Sequence, residues 1–451
     1  MIDADRVRHA VEAAQQAGAD AADAIQLASD SVEARVRGDE IDYVKQARER
    51  ALGIRAFVRG TRGMSTALVS TSDLSHAAIR SLAADAVALA RATAEDPDAG
   101  LPSEGFARAW PELELLDPRD RAVPLEVQLA EAREAEAAAR ALDPRIVNSE
   151  GTSVAASFDA VAFACSSGFE GSYVSAHHSL VSSPVAAENG AMQTDYWLTV
   201  ARRRSDLDSP ASVGRRAAER ALAQLGARSV PTQRVPVIFE APAARQVLGN
   251  LVSCLSGGAV YRKTSFLAGR IGERIGSDAV SVIDDGRRPG GLGSRPFDAE
   301  GQATRRTVAV ERGELRSYLL DCYSARKLGL RSTGNATRGT GSAPSAAPTN
   351  LWLEPGEGSL DQLLSDTGRG LLVTSLFGQG FNPVTGDFSR GARGFWIEDG
   401  ARAFPVEEIT VAGNLAELLR DVDRVASDLL WLGSLGAPSF RVAQLTVAGS
   451  E

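Results

Sequence analysis

The sequence predicts an α+β protein, with an N-terminal α/β sandwich-like region followed by a glycine-rich, mostly β region. Residues 1–105 alternate helix-period and strand-period segments, and residues 106–228 add a helix and then several strands. In residues 229–451, short strands alternate with clusters of glycine. A chain of 451 residues with 44% hydrophobic residues can form more than one core. We therefore predict three units with these boundaries.

The first unit is predicted to contain a helix, strands and a second helix. An apolar helical face near the N-terminus ends at Gly18, where glycine permits the chain to leave the helix. Apolar residues then favour strands over residues 25–36 and 53–59. Asp73 is predicted to cap the second helix, whose apolar positions recur at helical spacing.

The second unit is predicted to contain a β-meander between two helices. Asn189-Gly190 is typical of a tight hairpin turn, because both residues tolerate positive φ. Ser209-Pro210 predicts the start of a helix that ends at Gly226. The remaining predicted elements are a helix over residues 124–142 and strands over residues 161–165, 172–181 and 192–202.

The third unit is predicted to be mostly β after one helix. Glu398-Asp399-Gly400 predicts a hairpin turn. The predicted strands cover residues 235–239, 280–283, 307–310, 351–353, 370–375, 394–397 and 409–412, and the helix covers residues 243–255.

Composition excludes several classes of function. The net charge of −9 and the pI near 5.3 do not favour nucleic-acid binding. No apolar segment of 18 residues and no basic, apolar N-terminal leader occur, so we expect a cytoplasmic protein without a membrane partner. Four histidines and three scattered cysteines, without a CxxC or HxxxH pair, exclude a zinc ribbon, an iron–sulfur cluster and a zincin helix.

Acidic, histidine and cysteine side chains offer weaker candidates for chemistry. Asp284 and Asp285, with Asp298 downstream, could bind a hard cation or act as acid and base, although Asp-Asp-Gly is also an ordinary turn. His177 and His178 are adjacent on a predicted strand, so their side chains point to opposite faces. The thiols are predicted to be small core groups rather than nucleophiles, and they are Cys165, Cys254 and Cys322.

Repeated glycines in the third unit indicate bends or places where another backbone comes close. Glycine in a β-rich region permits bends and tight backbone contacts. An extended peptide that adds itself as a strand would use such positions.

An ordered series of motifs then resembles one known family. The segments are YRKTSFLAGRIGE at 261–273, VIDDG at 282–286, PFDAEG at 296–301, YSARKLG at 323–329 and STGNA at 332–336. Further matches lie at 53–55, 60–66, 385–392 and 445–449. Together they resemble the TldD/PmbA family, once described as modulators of DNA gyrase and now regarded as metallopeptidases. The resemblance covers nearly the whole chain.

The resemblance implies two kinds of subunit, and this chain departs from the catalytic one. TldD-like chains carry H-E-x-x-x-H on a helix and a later cysteine as zinc ligands. Alignment on Arg262-Lys263 places Gly249 and Asn250 at the His and Glu positions and Cys254 at the second His. Residues 430–435 contain no cysteine where the third ligand is expected. We therefore expect no metal in this chain, and zinc in a TldD-like partner.

The expected function is that of a TldE-like, non-catalytic subunit, inactive alone, of a heteromeric zinc peptidase acting on unfolded or leader peptides. Two alternatives stay open, a metal-independent enzyme of a specialised biosynthetic pathway and a regulatory or binding protein without proteolytic role. The residues predicted to contact substrate or partner are Arg262, Lys263, Gly334, Asn335, Gly378, Gly380, Asn382 and Gly386.

Overall fold

The computed structural model describes residues 4–38 and 40–450. Helices and strands are both abundant in this part of the chain, which confirms the predicted α+β class. The helices are α1 (Ala4–Gln16), α2 (His76–Ala92), α3 (Leu125–Leu142), α4 (Pro210–Leu222), α5 (Ala241–Leu255), α6 (Gly257–Tyr261), α7 (Cys322–Leu328), α8 (Leu360–Thr367) and α9 (Leu415–Asp421).

The N-terminal half is one antiparallel sheet with helices on one face. Within the described residues it has seven strands, ordered β3-β2-β1-β4-β5-β6, with β7 paired to β5. The first two predicted units both contribute strands to it. The strands are β1 (Ala21–Arg37), β2 (Glu40–Arg59), β3 (Met64–Thr71), β4 (Ile146–Cys165), β5 (Glu170–Glu188), β6 (Ala191–Thr194) and β7 (Trp197–Ala201).

Two pairs of helices cover the same face of this sheet. Buried residues of α1 and α2 pack with Ala22 and Ala24 of β1, and those of α3 and α4 pack with Ala34 and Val36 farther along the same strand. These four strand residues share one face because side chains alternate along a strand. The opposite face carries Ile25 and meets the C-terminal half in a separate apolar cluster.

The C-terminal half contains two larger sheets and one major core. Their orders in the described residues are β11-β10-β9-β14-β20-β19 and β17-β16-β15-β8-β21-β18, with an additional pairing of β17 to β21 and a short β12–β13 pair. Buried side chains of both sheets and of α5 form the same core. The strands are β8 (Gln233–Phe239), β9 (Val282–Asp285), β10 (Arg306–Glu311), β11 (Glu314–Leu315), β12 (Ala336–Thr337), β13 (Ser345–Ala346), β14 (Leu351–Leu353), β15 (Gly370–Phe377), β16 (Asp387–Glu398), β17 (Ala401–Asn414), β18 (Val422–Val425), β19 (Leu430–Leu432), β20 (Leu435–Ala437) and β21 (Phe440–Ala448).

Several predicted boundaries need correction. Ser75, not Asp73, caps α2, because the Ser75 hydroxyl accepts the Ala78 N–H while Asp73 accepts the N–H of Ser75. The helix predicted to end at Gly226 ends at Leu222, and residues 223–226 form turns. The single strand predicted over residues 192–202 is interrupted between β6 and β7, and the strand predicted over residues 280–283 is shifted to β9.

None of the helices in residues 4–38 and 40–450 is long and apolar enough to cross a membrane.

His178 on β5 is buried, and burial lowers its pKa below the ordinary value, which favours the neutral imidazole. Its Nε2 lies 3.5 Å from a carboxylate oxygen of Asp120.

Candidate functional site

Helix α5 carries the three positions aligned with the zinc-binding motif. The helix is regular from Ala241 to Leu255, so residues five apart are rotated by about 140° around its axis. Beyond its chain neighbours and the backbone of α5, a Cβ added at Gly249 would meet no atom of the described residues within 4 Å, whereas Cys254 is completely buried. The two positions therefore face different surroundings.

The residues at these positions do not fit a zinc ion. Gly249 offers no side chain, and Asn250 replaces the expected base. Burial raises the pKa of the Cys254 thiol to about 11, so the thiolate that binds metals is disfavoured. The Cys254 sulfur lies 3.8 Å from the carbonyl oxygen of Pro383. Across residues 4–38 and 40–450, no group of three His, Cys, Asp or Glu side chains has the geometry to hold a metal.

The position expected for a third ligand is an apolar hairpin. β19 and β20 pair through a turn at Gly433, whose φ is +79°, and this hairpin packs against α5. The Trp431 ring lies 5.8 Å from the ring of Trp352, and the Arg288 guanidinium lies 4.5 Å from the Trp431 centroid. An indole and aliphatic groups therefore occupy the place of a cysteine ligand.

Arg262 and Lys263 form an exposed basic turn directly after α6. The Arg262 Nη1 donates a hydrogen bond of 2.9 Å to the Tyr261 hydroxyl, and its guanidinium lies 5.1 Å from the Tyr261 ring centroid. Lys263 adopts a left-handed backbone with φ of +58°. Both side chains are exposed, so they are accessible to a partner or a peptide.

The glycine-rich loop over residues 378–386 lies against the end of α5. Asn382 organises the loop: its Oδ1 accepts the Val384 N–H at 2.9 Å, and its carbonyl accepts the Gly386 N–H at 2.8 Å. The Phe266 N–H donates to Pro383, which joins the loop to the segment that follows Lys263. Gly378 and Gly380 are exposed, whereas Gly386, which was also predicted to contact substrate or partner, is buried at the end of the loop.

We group this loop with the turn at Arg262 and Lys263, because the Phe266 N–H, three residues after Lys263, donates to the Pro383 carbonyl. Phe377 is 48% exposed and Val384 is 51% exposed, so the loop presents apolar side chains. We call this region the α5 loop surface and define it by residues 262–263 and 377–386. It combines apolar, basic and glycine backbone groups, a composition suited to an extended peptide or a partner chain.

Gly334 and Asn335 do not belong to this surface. Asn335 is 1% exposed, and its Nδ2 donates to Asp284 Oδ2 at 2.7 Å and to the Ala347 carbonyl at 3.0 Å. The Thr333 hydroxyl donates to its Oδ1 at 2.6 Å. Gly334 has φ of +74°, and an added Cβ would lie 3.2 Å from the Ala303 carbonyl carbon. The predicted peptide contact is not available to Asn335, because its amide binds inside the protein.

The acidic residues considered for chemistry are also engaged internally. Asp284 is 1% exposed and accepts the N–H and the hydroxyl of Thr349 at 2.7 and 2.8 Å, in addition to Asn335. Burial raises its pKa. Asp285 ends β9, and its Oδ1 accepts the Arg287 N–H in the predicted turn. These contacts favour a structural role over acid–base catalysis.

A buried ion cluster, not anticipated from the sequence, joins the two halves of the protein. Asp23 on β1 is fully buried, and its Oδ2 accepts from Arg55 Nε and Nη2 at 2.9 and 2.5 Å. Its Oδ1 accepts from Arg338 Nη2 at 2.7 Å. Glu300 Oε1 lies 3.6 Å from Arg55 Nη2. We call Asp23, Arg55, Arg338 and Glu300 the interface ion cluster.

Asp298 lies beside this cluster on the C-terminal side. It is 1% exposed, and its Oδ1 accepts the N–H groups of Glu300 and Gln302, both at 2.9 Å. Its Oδ2 accepts the Ala336 N–H at 3.0 Å. Burial, together with the neighbouring Glu300 carboxylate, raises the pKa of Asp298 to about 7.

Replacement of Asp298 by Asn should change how stability depends on pH. A carboxyl whose pKa rises on folding stabilises the protein below its unfolded pKa, ordinarily 3.8, and loses that contribution as pH rises to about 7. Between about pH 5 and pH 8, the wild type should therefore lose more than about 1 kcal/mol relative to Asp298→Asn. Urea unfolding of both proteins at the two pH values measures this difference, and a difference independent of pH would contradict the shifted pKa.

Sequence models of one family match most of the chain. The PmbA/TldA metallopeptidase domain 1 matches residues 22–90, the central domain matches residues 118–225, and the C-terminal domain matches residues 232–449. The first two models cover the shared N-terminal sheet, and the third covers both C-terminal sheets.

Whole-chain relatives and solved structures agree with these matches. Metalloprotease PmbA of Escherichia coli O157:H7 is 39% identical, covering 92% of this chain and 89% of its own. The PmbA homologue of Haemophilus influenzae is 36% identical, covering 98% and 95%. A structure from Bacteroides thetaiotaomicron, whose name refers to modulation of DNA gyrase, has a TM-score of 0.90 at 27% identity and covers 99% and 98%.

TldE from Thermococcus kodakarensis has the same fold. Its TM-score is 0.86 at 22% identity, covering 98% of this chain and 100% of that one. The fold and these relatives define the class: this is a chain with the architecture of a metallopeptidase family. It belongs to the PmbA/TldD family.

Proposed function

We propose that this chain is the non-catalytic, TldE-like subunit of a TldD/TldE-type zinc peptidase. The observation that carries the proposal is helix α5, where Gly249, Asn250 and a buried Cys254 stand at the positions of a metal-binding donor set. Membership of a peptidase family without these donors favours a division of labour, in which a TldD-like partner supplies zinc. The catalytic step would then belong to the partner.

The α5 loop surface is our candidate contact region for the peptide or the partner. Arg262 and Lys263 offer exposed donors, and Phe377 and Val384 offer exposed apolar contacts next to the exposed backbone of Gly378 and Gly380. Unfolded or leader peptides can present a free backbone to such a surface, whereas folded proteins cannot. We further propose that the complex acts in the cytoplasm, as expected for a chain with scattered, reduced cysteines.

The test compares the chain alone with the chain plus a TldD-like partner from the same genome. Alone, it should bind no stoichiometric zinc and should cleave no unstructured peptide. With the partner, zinc and peptide cleavage should both be present, and removal of zinc by a chelator should abolish cleavage. One zinc per chain together with cleavage by the isolated chain would overturn the proposal.

Charge reversal tests the candidate surface within the complex. Arg262→Glu combined with Lys263→Glu should reduce peptide cleavage at least tenfold. Arg420→Glu on α9 is the matched control, because Arg420 is also exposed in the C-terminal half but lies outside the α5 loop surface. Equal activity of the two variants would remove the α5 loop surface from the proposal while leaving the subunit assignment intact.

A further inference from the structure

A cleft of about 530 Å³ lies between the segment that connects α2 to α3 and the C-terminal half of the protein. Residues 101–105 form one wall, and the other contains Gln302, Arg305 and several residues between Cys322 and Ser332. We call it the α7 cleft, because α7 contributes part of the second wall. Its volume lies within the range of ligand sites in proteins, about 300–1,000 Å³. Neither α5 nor the α5 loop surface lines it.

Three arginines line the α7 cleft. Arg305 Nη2 donates to the Ser332 carbonyl at 2.6 Å, and Arg326 donates to two backbone carbonyls just before Leu101, at 2.6 and 2.9 Å. Arg331 is exposed and forms no hydrogen bond in the part of the chain that the structure describes. Within that part, none of the three forms an ion pair. Because neutral carbonyl groups leave the guanidinium charges in place, the cleft favours an anion.

Acidic groups offset only part of this positive charge. Glu104 is the one acid that lines the cleft among the described residues, and it is exposed. Buried Asp298 acts on Arg305 electrostatically without forming an ion pair with it, and backbone N–H groups bind both of its carboxyl oxygens. The guanidinium groups therefore outnumber the carboxylates. Planar guanidinium groups suit a carboxylate, which they can bind through paired N–H donors.

The first wall of the cleft offers backbone groups that a peptide can use. The N–H groups of residues 103–105 and the carbonyls of residues 101–103 form no hydrogen bond within residues 4–38 and 40–450. Leu330 on the second wall is 41% exposed and adds an apolar contact. A phosphate ion would use only the arginines, whereas the end of a peptide presents a carboxylate, a backbone and a side chain together. Capture of a C-terminal carboxylate is a recurring mode of peptide recognition.

We propose that the α7 cleft binds the free C-terminal end of an unfolded peptide. The peptide carboxylate would lie between Arg305 and Arg331, its backbone beside residues 103–105, and its last side chain against Leu330. A peptide held in this way has a fixed chain direction, so the subunit would select free ends over internal segments. The proposal rests on the proposed function for one point only, the class of ligand.

Calorimetry on the isolated chain tests the requirement for a carboxylate. The probe is an acetylated, unstructured hexapeptide of glycine, serine and alanine that ends in leucine, and the control is the same peptide with a C-terminal amide. The free carboxylate should bind at least about tenfold more tightly, because the amide loses the charge-assisted hydrogen bonds. Inorganic phosphate should bind more weakly than the carboxylate peptide. Equal affinity of the two peptides, tighter binding of phosphate, or no binding of either peptide would overturn the proposal.

A substitution at Arg331 tests the position of the carboxylate. Arg331→Gln should reduce the affinity for the carboxylate peptide about tenfold and leave the affinity for the amide peptide unchanged. Arg133→Gln on α3 is the matched control, because Arg133 is also exposed and unpaired within the described residues but lies outside the cleft. Thermal unfolding checks that both variants are folded. An equal loss for the two peptides, or the same loss in Arg133→Gln, would contradict the proposed position.

The binding assay separates the α7 cleft from the subunit assignment, because it uses neither zinc nor a partner. If the isolated chain fails to bind the carboxylate peptide while the complex cleaves peptides, the cleft proposal is wrong and the assignment stands. If the chain binds the peptide but no TldD-like partner yields cleavage, the assignment is wrong and the cleft proposal stands.

Discussion

Replacement of Asp23 by Ala is expected to lower the free energy of unfolding by about 3–5 kcal/mol. Asp23 accepts hydrogen bonds from both Arg55 and Arg338, and all three side chains are buried. The variant leaves two buried guanidinium groups with Glu300 as the nearest acid of the interface ion cluster. A buried charge left without a partner lowers the free energy of unfolding by far more than the intact ion pair raises it. Urea unfolding measures the change.

Asp30→Ala is the matched control for this prediction. Asp30 lies on the same strand, and it also accepts from an arginine of β2, Arg48, at 3.0 Å. Both side chains of that pair are substantially exposed, so the control should lose less than about 1 kcal/mol. Similar losses for the two variants would contradict the role assigned to burial of the interface ion cluster.

The interface ion cluster shows which part of the structure local sequence can predict. Asp23 and Arg55 are directly opposed on β1 and β2, so a correct strand register would have paired them. Arg338 is separated from Asp23 by 315 positions, and its approach depends on how the C-terminal half docks on the sheet. No spacing or period in the sequence encodes that docking.

Turns and strands with strong local signals were predicted well. Asn189 and Gly190 adopt φ of +51° and +83°, and Asp399 and Gly400 adopt +50° and +73°, which confirms both hairpin turns. The strand predicted over residues 351–353 has the observed bounds of β14. In these cases residues that favour one backbone conformation decide the structure, with little dependence on distant contacts.

In the candidate site, too, local sequence predicts some features, and others depend on distant contacts. Alignment of short motifs located the positions on α5, because a helix keeps its residues in a fixed spatial order. The sequence could not show that Gly378 is exposed and Asn335 is buried. One is a glycine and the other a polar residue, and both types are common in exposed loops. Asn335 is buried because Asp284 and Thr333 surround its amide, and these contacts form only after the sheets assemble.

The same substitution in two helices should have opposite effects. Gly214→Ala in α4 is expected to lower the free energy of unfolding by about 3 kcal/mol. An added Cβ would overlap the Ala135 carbonyl oxygen of α3 and would lie 2.8 Å from its carbonyl carbon. Because backbone atoms cannot rotate away as a side chain can, α3 and α4 would have to separate. Their buried contacts, mostly between alanines, would loosen along the whole crossing.

Gly249→Ala in α5 provides the comparison, and it should raise the free energy of unfolding by up to about 1 kcal/mol. Beyond its chain neighbours and the backbone of α5, no atom of the described residues lies within 4 Å of the added Cβ, so no steric cost opposes the gain in helix propensity. Urea unfolding of the two variants separates propensity from packing, because the chemical change is identical. A loss of stability in Gly249→Ala would mean that this face of α5 is occupied, and it would contradict the open position found at Gly249.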